Sequence, residues 1–232
     1  MKIALSLILF CFGWHLCSDA YAGTAKPVVF EFDNQNDFVS RWKIRRTALH
    51  VPVSRFYVGR SRGARDGKVL IVECNKSSGI ALISPHELDI RKTPVMRWRW
   101  RVVNPVVLKN GSEPDDQAAA VYICDGNSFR QFTLSYRWEQ LPKIGFVRLK
   151  RYSGGAVTVY GICMENNKTP IGEWVEEERD ILHDFNKFFK RDIMSRYAIG
   201  IAGNSQHTKS NTRVEIDYIE FHPRQTTKRG EK

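Results

Sequence analysis

Between Val95 and Val103, Met96, Trp98, Trp100 and Val102 alternate with Arg97, Arg99 and Arg101. Successive side chains of an extended strand point to opposite faces, whereas a helix would scatter these residues around its circumference. The segment therefore reads as a strand with one face buried under two tryptophans and the other carrying three guanidinium groups. Any fold for this chain must cover the first face and neutralise or use the second.

The same period of two recurs along the chain. Val28 to Asp33 reads as a first strand, followed by a turn at Asn34 to Asp37. Lys68 to Cys74, Ile80 to Ser84 and Ala118 to Cys124 read as strands. Asp125-Gly126-Asn127 marks a hairpin, and Arg130 to Trp138 is its return strand, with Phe132, Leu134, Tyr136 and Trp138 on one face. Phe146 to Tyr152 and Val157 to Cys163 flank the turn Ser153-Gly154-Gly155. Trp174 to Ile181 is extended and charged, and Leu182, Phe185, Phe188 and Phe189 have the spacing of a short amphipathic helix. Tyr197 to Ala202 and Val214 to Phe221 complete the strands. About ten short strands with one short helix predict an all-β fold, a two-sheet antiparallel β-sandwich of jelly-roll type.

The N-terminus predicts export. A positive start at Lys2, an apolar run from Ile3 to Leu16 and the small residues Ala20 and Ala22 form a signal peptide over residues 1–22. The run is too short for a membrane span of about 20 residues. One sandwich domain is expected over 23–225, with a charged, disordered tail over 226–232. The mature chain is then periplasmic or extracellular, has no integral membrane span, and keeps the net charge of +11, because Lys2 and Asp19 cancel. Such a charge suits anionic surroundings, and for an exported chain these are acidic glycans or envelope phosphates rather than nucleic acid. Cleavage leaves Cys74, Cys124 and Cys163, an odd number with no CxxC pair, best read as buried free thiols.

Several segments carry a family resemblance: Met96-Arg97-Trp98-Arg99-Trp100-Arg101-Val102, Asp115 through Ile123, Leu134-Ser135-Tyr136-Arg137-Trp138, Trp174 through Phe185, Ile199 to Ala202, and Ile216 to Ile219. Together, and in this order, they resemble the bacterial exported family known as domain of unknown function 3047. The resemblance implies a fold but no catalytic residue. In the penultimate loop, Asn204 to Thr208 departs from the Thr- and Asp-rich pattern of that family. A looser likeness is to jelly-roll carbohydrate-binding modules, which implies a structural calcium held by acids near the two ends, here Glu31 and Asp217. No cofactor is otherwise required.

The chain lacks G-x-S-x-G, H-E-x-x-H and P-loop motifs, and its histidines are scattered singly. Asp115-Asp116 precedes a buried strand, where it can start the strand through a turn or meet sugar hydroxyls or calcium. Arg97, Arg99 and Arg101 can grip an acidic polymer or pair internally with Glu176, Glu178 and Asp180. Tyr136 and Trp138 can stack on a sugar if exposed, or fill the core. The leading expectation is a non-enzymatic binding module for a glycan or anionic envelope polymer, with Arg97, Arg99, Arg101, Asp115, Asp116, Tyr136 and Trp138 as ligand-binding residues. A polysaccharide-acting enzyme using Asp115, Asp116 or Glu139 and an envelope scaffold are the alternatives. Oligomeric state and ligand identity are not encoded in any motif.

Overall fold

A computed structural model describes residues 25–47, 49–108, 115–127, 129–193 and 197–225. The expected signal peptide and C-terminal tail lie outside the described residues. The described chain forms β1 (Val28–Glu31), α1 (Gln35–Arg41), β2 (Lys43–Arg46), β3 (Arg55–Arg60), β4 (Lys68–Asn75), β5 (Ser78–Ile83) and β6 (Val95–Asn104). It continues through β7 (Gln117–Gly126), β8 (Gln131–Trp138), β9 (Val147–Tyr152), β10 (Val157–Glu165), β11 (Val175–Asp180), α2 (Ile181–Phe189), β12 (Tyr197–Asn204) and β13 (Asn211–His222). One sheet runs β11-β6-β13-β4-β3, with β1 added on β13, and the other runs β2-β5-β12-β7-β8-β10-β9. All pairs are antiparallel except β8 with β10. The result is the expected all-β sandwich of jelly-roll type.

The core is aromatic where the sheets face each other. Trp98 and Trp100 of β6 are fully buried. They meet the inner face of β8, with ring centroids 5.3 Å apart for Trp98 and Tyr136 and 5.5 Å for Trp100 and Trp138. A second cluster closes the N-terminal side, where Phe38 of α1 stacks on Trp42 at 5.9 Å. Here the expected turn is a helix instead. Asn34 is the reason: its side chain accepts the Asn36 amide and caps the helix N-terminus, a role turn-forming asparagines share.

Helix α2 forms where its spacing predicts. Asp180 caps it by accepting the His183 amide, and Lys190 ends it in the left-handed conformation at φ 54°. Its aromatic face meets β8 and β10, with Phe189 5.3 Å from Phe132 and Phe188 stacked on Tyr160 at 5.0 Å. Asp184, on the same helix, is buried. It accepts from the Tyr136 hydroxyl at 2.8 Å and from Arg179 Nε at 2.8 Å and Nη2 at 2.6 Å, so its charge is compensated on both oxygens.

Strands β2 and β3 are additions to the sequence reading. All four residues of β2 are exposed, so no buried face imposes an alternation to read.

The edge strand β11 points one acid inward. Glu177 pairs in register with Trp98, and burial together with the charge of Glu165 pushes its carboxyl up to about 7, against the favourable charge of Arg179. A carboxyl raised in the folded state keeps its proton longer than the unfolded chain does. Stability therefore falls as pH rises from the ordinary 4.5 to about 7. Glu177→Gln is expected to raise the melting temperature at pH 8 and to flatten the loss across that window. Thermal melts of both proteins across this pH range check it, and an unchanged pH profile contradicts it.

Candidate functional site

Period-two geometry gives each sheet an outer face. On the first sheet that face belongs to Arg97, Arg99 and Arg101, and it is closed by ion pairs. Arg97 Nε donates to Glu178 at 2.6 Å, Arg99 Nη1 to Asp217 at 2.7 Å, and Arg101 Nε to Glu215 at 2.9 Å. Of the partners expected from β11, Glu178 alone takes this role, and β13 supplies the other two. Glu176 instead accepts from the Tyr218 hydroxyl, and Asp180 pairs with Arg224. The Trp174 ring covers the guanidinium groups of Arg99 and Arg101 at 4.7 and 4.5 Å. These three arginines, expected to hold a ligand, are consumed by side-chain partners on their own sheet.

The other expected residues separate as well. Tyr136 and Trp138 face the core, 0% and 3% exposed, so neither presents a ring to a ligand. Asp116 is buried and accepts from the amides of His207 and Thr208 and from the Thr208 hydroxyl, which ties down the penultimate loop. Asp217 spends its oxygens on the Arg65 amide and Arg99. Glu31 lies with Asp33 and Asp66, their carboxylate oxygens within 4.8 Å of one another, so the pair expected for calcium is not the set that converges.

Of the expected set, Asp115 faces a large groove, whereas Asp116 lines only a pocket of about 20 Å³ beside Glu139. The large groove lies on the outer face of the seven-stranded sheet, has a volume of about 770 Å³, and takes side chains from β2 across to β9. It adjoins a second hollow of about 880 Å³ toward the β7–β8 hairpin, sharing Cys124 and Gln131 with it. Apart from Tyr122, the residues facing out across its middle are small. Gly200, Tyr122, Ser135 and Gly161 stand in one row across β12, β7, β8 and β10. A Cβ on Gly200 would come within 2.8 Å of Ile80 Cδ1. One on Gly161 would come within 3.1 Å of Arg137 Cδ, so the glycine is what lets the arginine lie flat across the floor.

Arg137 organises this floor. Its Nη2 donates to Gln117 Oε1 at 2.7 Å and to Asp115 Oδ1 at 3.2 Å, and its Nη1 lies 3.1 Å from Glu139. Lys150 Nζ approaches Asp115 Oδ2 at 2.7 Å, and the Tyr152 hydroxyl donates to the same oxygen at 3.2 Å. Burial raises the Asp115 carboxyl, but the Lys150 hydrogen bond and the Arg137 charge outweigh it and hold the group below its ordinary value. Tyr152 is half-exposed on the groove wall, its hydroxyl pushed up to about 12 by burial and by Asp115. Toward the second hollow, Cys124 is a free thiol raised to about 11 by burial, while Cys74 and Cys163 are buried free thiols.

What the groove offers is thus the partly exposed amides of Gln131, Asn204 and Gln206 and the Tyr152 side chain between charged walls, above a floor in which Thr133 and Ser135 are buried. Gln117, Tyr122, Thr133, Ser135, Arg137, Lys150 and Tyr152 are the lining residues that the sequence reading passed over. The signal was present in the alternate positions of β8, where Thr133, Ser135 and Arg137 interleave with the aromatic face.

A profile of the family described as protein of unknown function DUF3047 matches residues 40–220. The chain belongs to that family. No curated protein matches it in sequence. Among solved structures, this DUF3047 chain is similar to a family 11 carbohydrate-binding module from Clostridium thermocellum in complex with a mixed-linked tetrasaccharide. That likeness has 8% identity over 85% of this chain and 95% of that one, at a TM-score of 0.43. It is similar also to the xyloglucanase domain of NopAA from Sinorhizobium fredii, at 7% identity over 88% and 100% and a TM-score of 0.44. The CBM22-1 xylan-binding domain of Paenibacillus barcinonensis Xyn10C is a further likeness, at 11% over 85% and 95% and 0.39.

Removing Arg137 leaves Glu139, itself 6% exposed, without its cation. Arg137→Met is expected to cost roughly 3–5 kcal/mol, the range for breaking a buried ion pair from one side. Urea unfolding of the variant measures it, and a loss below about 1 kcal/mol, the value of a surface pair, contradicts the organising role.

Proposed function

We propose that this DUF3047 protein is a non-enzymatic module that holds a glycan chain against the outer face of its seven-stranded sheet, outside the cytoplasm after export. The observation that carries the reading is the groove itself: the partly exposed amide side chains of Gln131, Asn204 and Gln206 beside the half-exposed Tyr152. Sugar rings present hydroxyls at their edges and apolar C–H faces. The amide side chains meet the first with hydrogen bonds, and a tyrosine wall meets the second.

Binding is favoured over hydrolysis by the state of the groove acids. A glycosidase needs a protonated carboxyl as general acid opposite a second carboxylate. Asp115 is kept ionised by Lys150 and Arg137, and Asp125 in the adjoining hollow is buried in an ion pair with Arg191 at 3.1 Å. Asp115 is therefore not poised to donate a proton.

The test is a glycan array followed by calorimetry with the full chain and with Tyr152→Ala. The array is expected to show binding to at least one envelope or plant polysaccharide. The variant, altered at an exposed wall residue, is expected to bind about tenfold more weakly, the loss typical of an anchoring aromatic. Binding to no glycan, undiminished binding by the variant, or release of reducing ends from a bound glycan would each overturn the proposal.

A further inference from the structure

Exposed apolar side chains are not spread evenly over this molecule. Of the fourteen large ones among the described residues, six lie between Leu141 and Tyr152. Scattered singly, such side chains are ordinary, but a group of them marks a surface that something else covers. They sit on β9, the last strand of the seven-stranded sheet, and on the turn that leads into it.

The turn is built to project. The Phe146 amide donates to the Lys143 carbonyl at 2.9 Å, and Gly145 takes the positive φ, 84°, that the third position of a type II turn requires. The Gly145 amide donates to the Cys163 carbonyl at 2.8 Å, and Asn166 Nδ2 to the Pro142 carbonyl at 2.7 Å. A Cβ on Gly145 would meet nothing within 4 Å, so the tip stands clear of the body. Leu141, Ile144 and Phe146 are held outward there, at 53%, 59% and 46% exposure. Along β9, Arg148, Lys150 and Tyr152 face the groove, so alternation turns Val147 and Leu149 to the other side, where both are exposed. The apolar groups thus surround an edge instead of covering one face.

Charge narrows what can cover it. From Gln140 to Met164 the chain has no aspartate or glutamate. Lys150 is spent on Asp115, and Arg148 has a partner. That leaves Lys143 in the turn and Arg151 near the end of β9, neither of which pairs with an acid among the described residues. Pairing β9 with β9 of a second copy would set basic residues against their equivalents, in a chain of net charge +11. A protein partner laid against one side would leave the apolar groups of the other side in water. A fluid anionic interface reaches both sides. The open edge of β9 limits the depth of entry, because its unpaired backbone groups would go unsatisfied in hydrocarbon and so stay at headgroup level.

We infer that the edge formed by residues 141–151 docks on an anionic lipid surface. Leu141, Ile144 and Phe146 dip below the headgroups, and Lys143 and Arg151 meet the lipid phosphates. This surface goes beyond the glycan-binding reading and does not depend on it.

The test is co-sedimentation of the full chain with vesicles of phosphatidylcholine, and of an equal mixture of phosphatidylcholine and phosphatidylglycerol, at low and physiological salt. It is repeated with Ile144→Ser/Phe146→Ser and with Lys143→Glu/Arg151→Glu. All four positions are exposed, and a thermal melt verifies that each variant folds. The chain is expected to bind the anionic vesicles, less tightly as salt screens the contact. Neutral vesicles are expected to bind at least about tenfold more weakly. The charge reversal should cost at least about tenfold, because each basic side chain near such a surface contributes about fivefold. Removing the two apolar tips should cost at least about tenfold as well. Equal binding to the neutral vesicles overturns the anionic class. Binding undiminished in either variant is carried elsewhere on the chain, its N-terminal apolar run included, and overturns the inference. Binding to neither vesicle also overturns it and leaves the edge to a protein partner. These lipids carry no sugar, so none of these results bears on glycan binding.

Discussion

The contact on which everything else depends is between the indoles of β6 and the aromatic face of β8. Trp98 against Tyr136 and Trp100 against Trp138 join the two sheets at their centre. Because side chains alternate strictly along a strand, burying these rings decides the other face of both strands at once. Arg97, Arg99 and Arg101 are forced out on one side, and Thr133, Ser135 and Arg137 on the other. A shift of either strand by one residue would put arginines into the core and tryptophans into water.

The two outer faces then resolve differently. The β6 arginines emerge beside β13 and β11, whose acids stand opposite in register, and the Trp174 ring covers two of the three. That surface is electrostatically complete. The β8 face emerges between β7 and β10, where Gly161 leaves room for the Arg137 side chain. Arg137, buried and bonded to Gln117, Asp115 and Glu139, gives this floor a fixed shape. Preorganised polar groups bind without first having to be ordered, which is why a rigid arginine beneath the floor matters to a ligand above it.

Much of the fold was legible along the chain, because alternation is a local property. The strands around Val95–Val103, Ala118–Cys124 and Arg130–Trp138 lie where their patterns place them, and α2 follows its aromatic spacing. The candidate site was far less legible. A row such as Gly200, Tyr122, Ser135 and Gly161 comes from four strands, and none of its members is distinctive alone. The arginine ladder was conspicuous, yet its partners Asp217 and Glu215 lie 118 and 114 residues away, so nothing local showed that it was already satisfied. For Tyr136 and Trp138 the period was legible but not the direction, since alternation says that one face is buried without saying which ligand faces the other. Asp115 and Asp116 are adjacent residues with opposite fates, one on the groove wall and one clamping the loop at Thr208.

On the proposed function, the open face of the seven-stranded sheet, and not the arginine face of its partner, receives the ligand. Amide chemical-shift mapping of the isotope-labelled protein during titration with an oligosaccharide of a glycan that binds on the array tests this most directly. Shifts are expected to concentrate at Gln117, Tyr122, Ser135, Gly161 and Tyr152. Shifts clustered instead on Arg97, Arg99, Arg101 and Trp174 would contradict it.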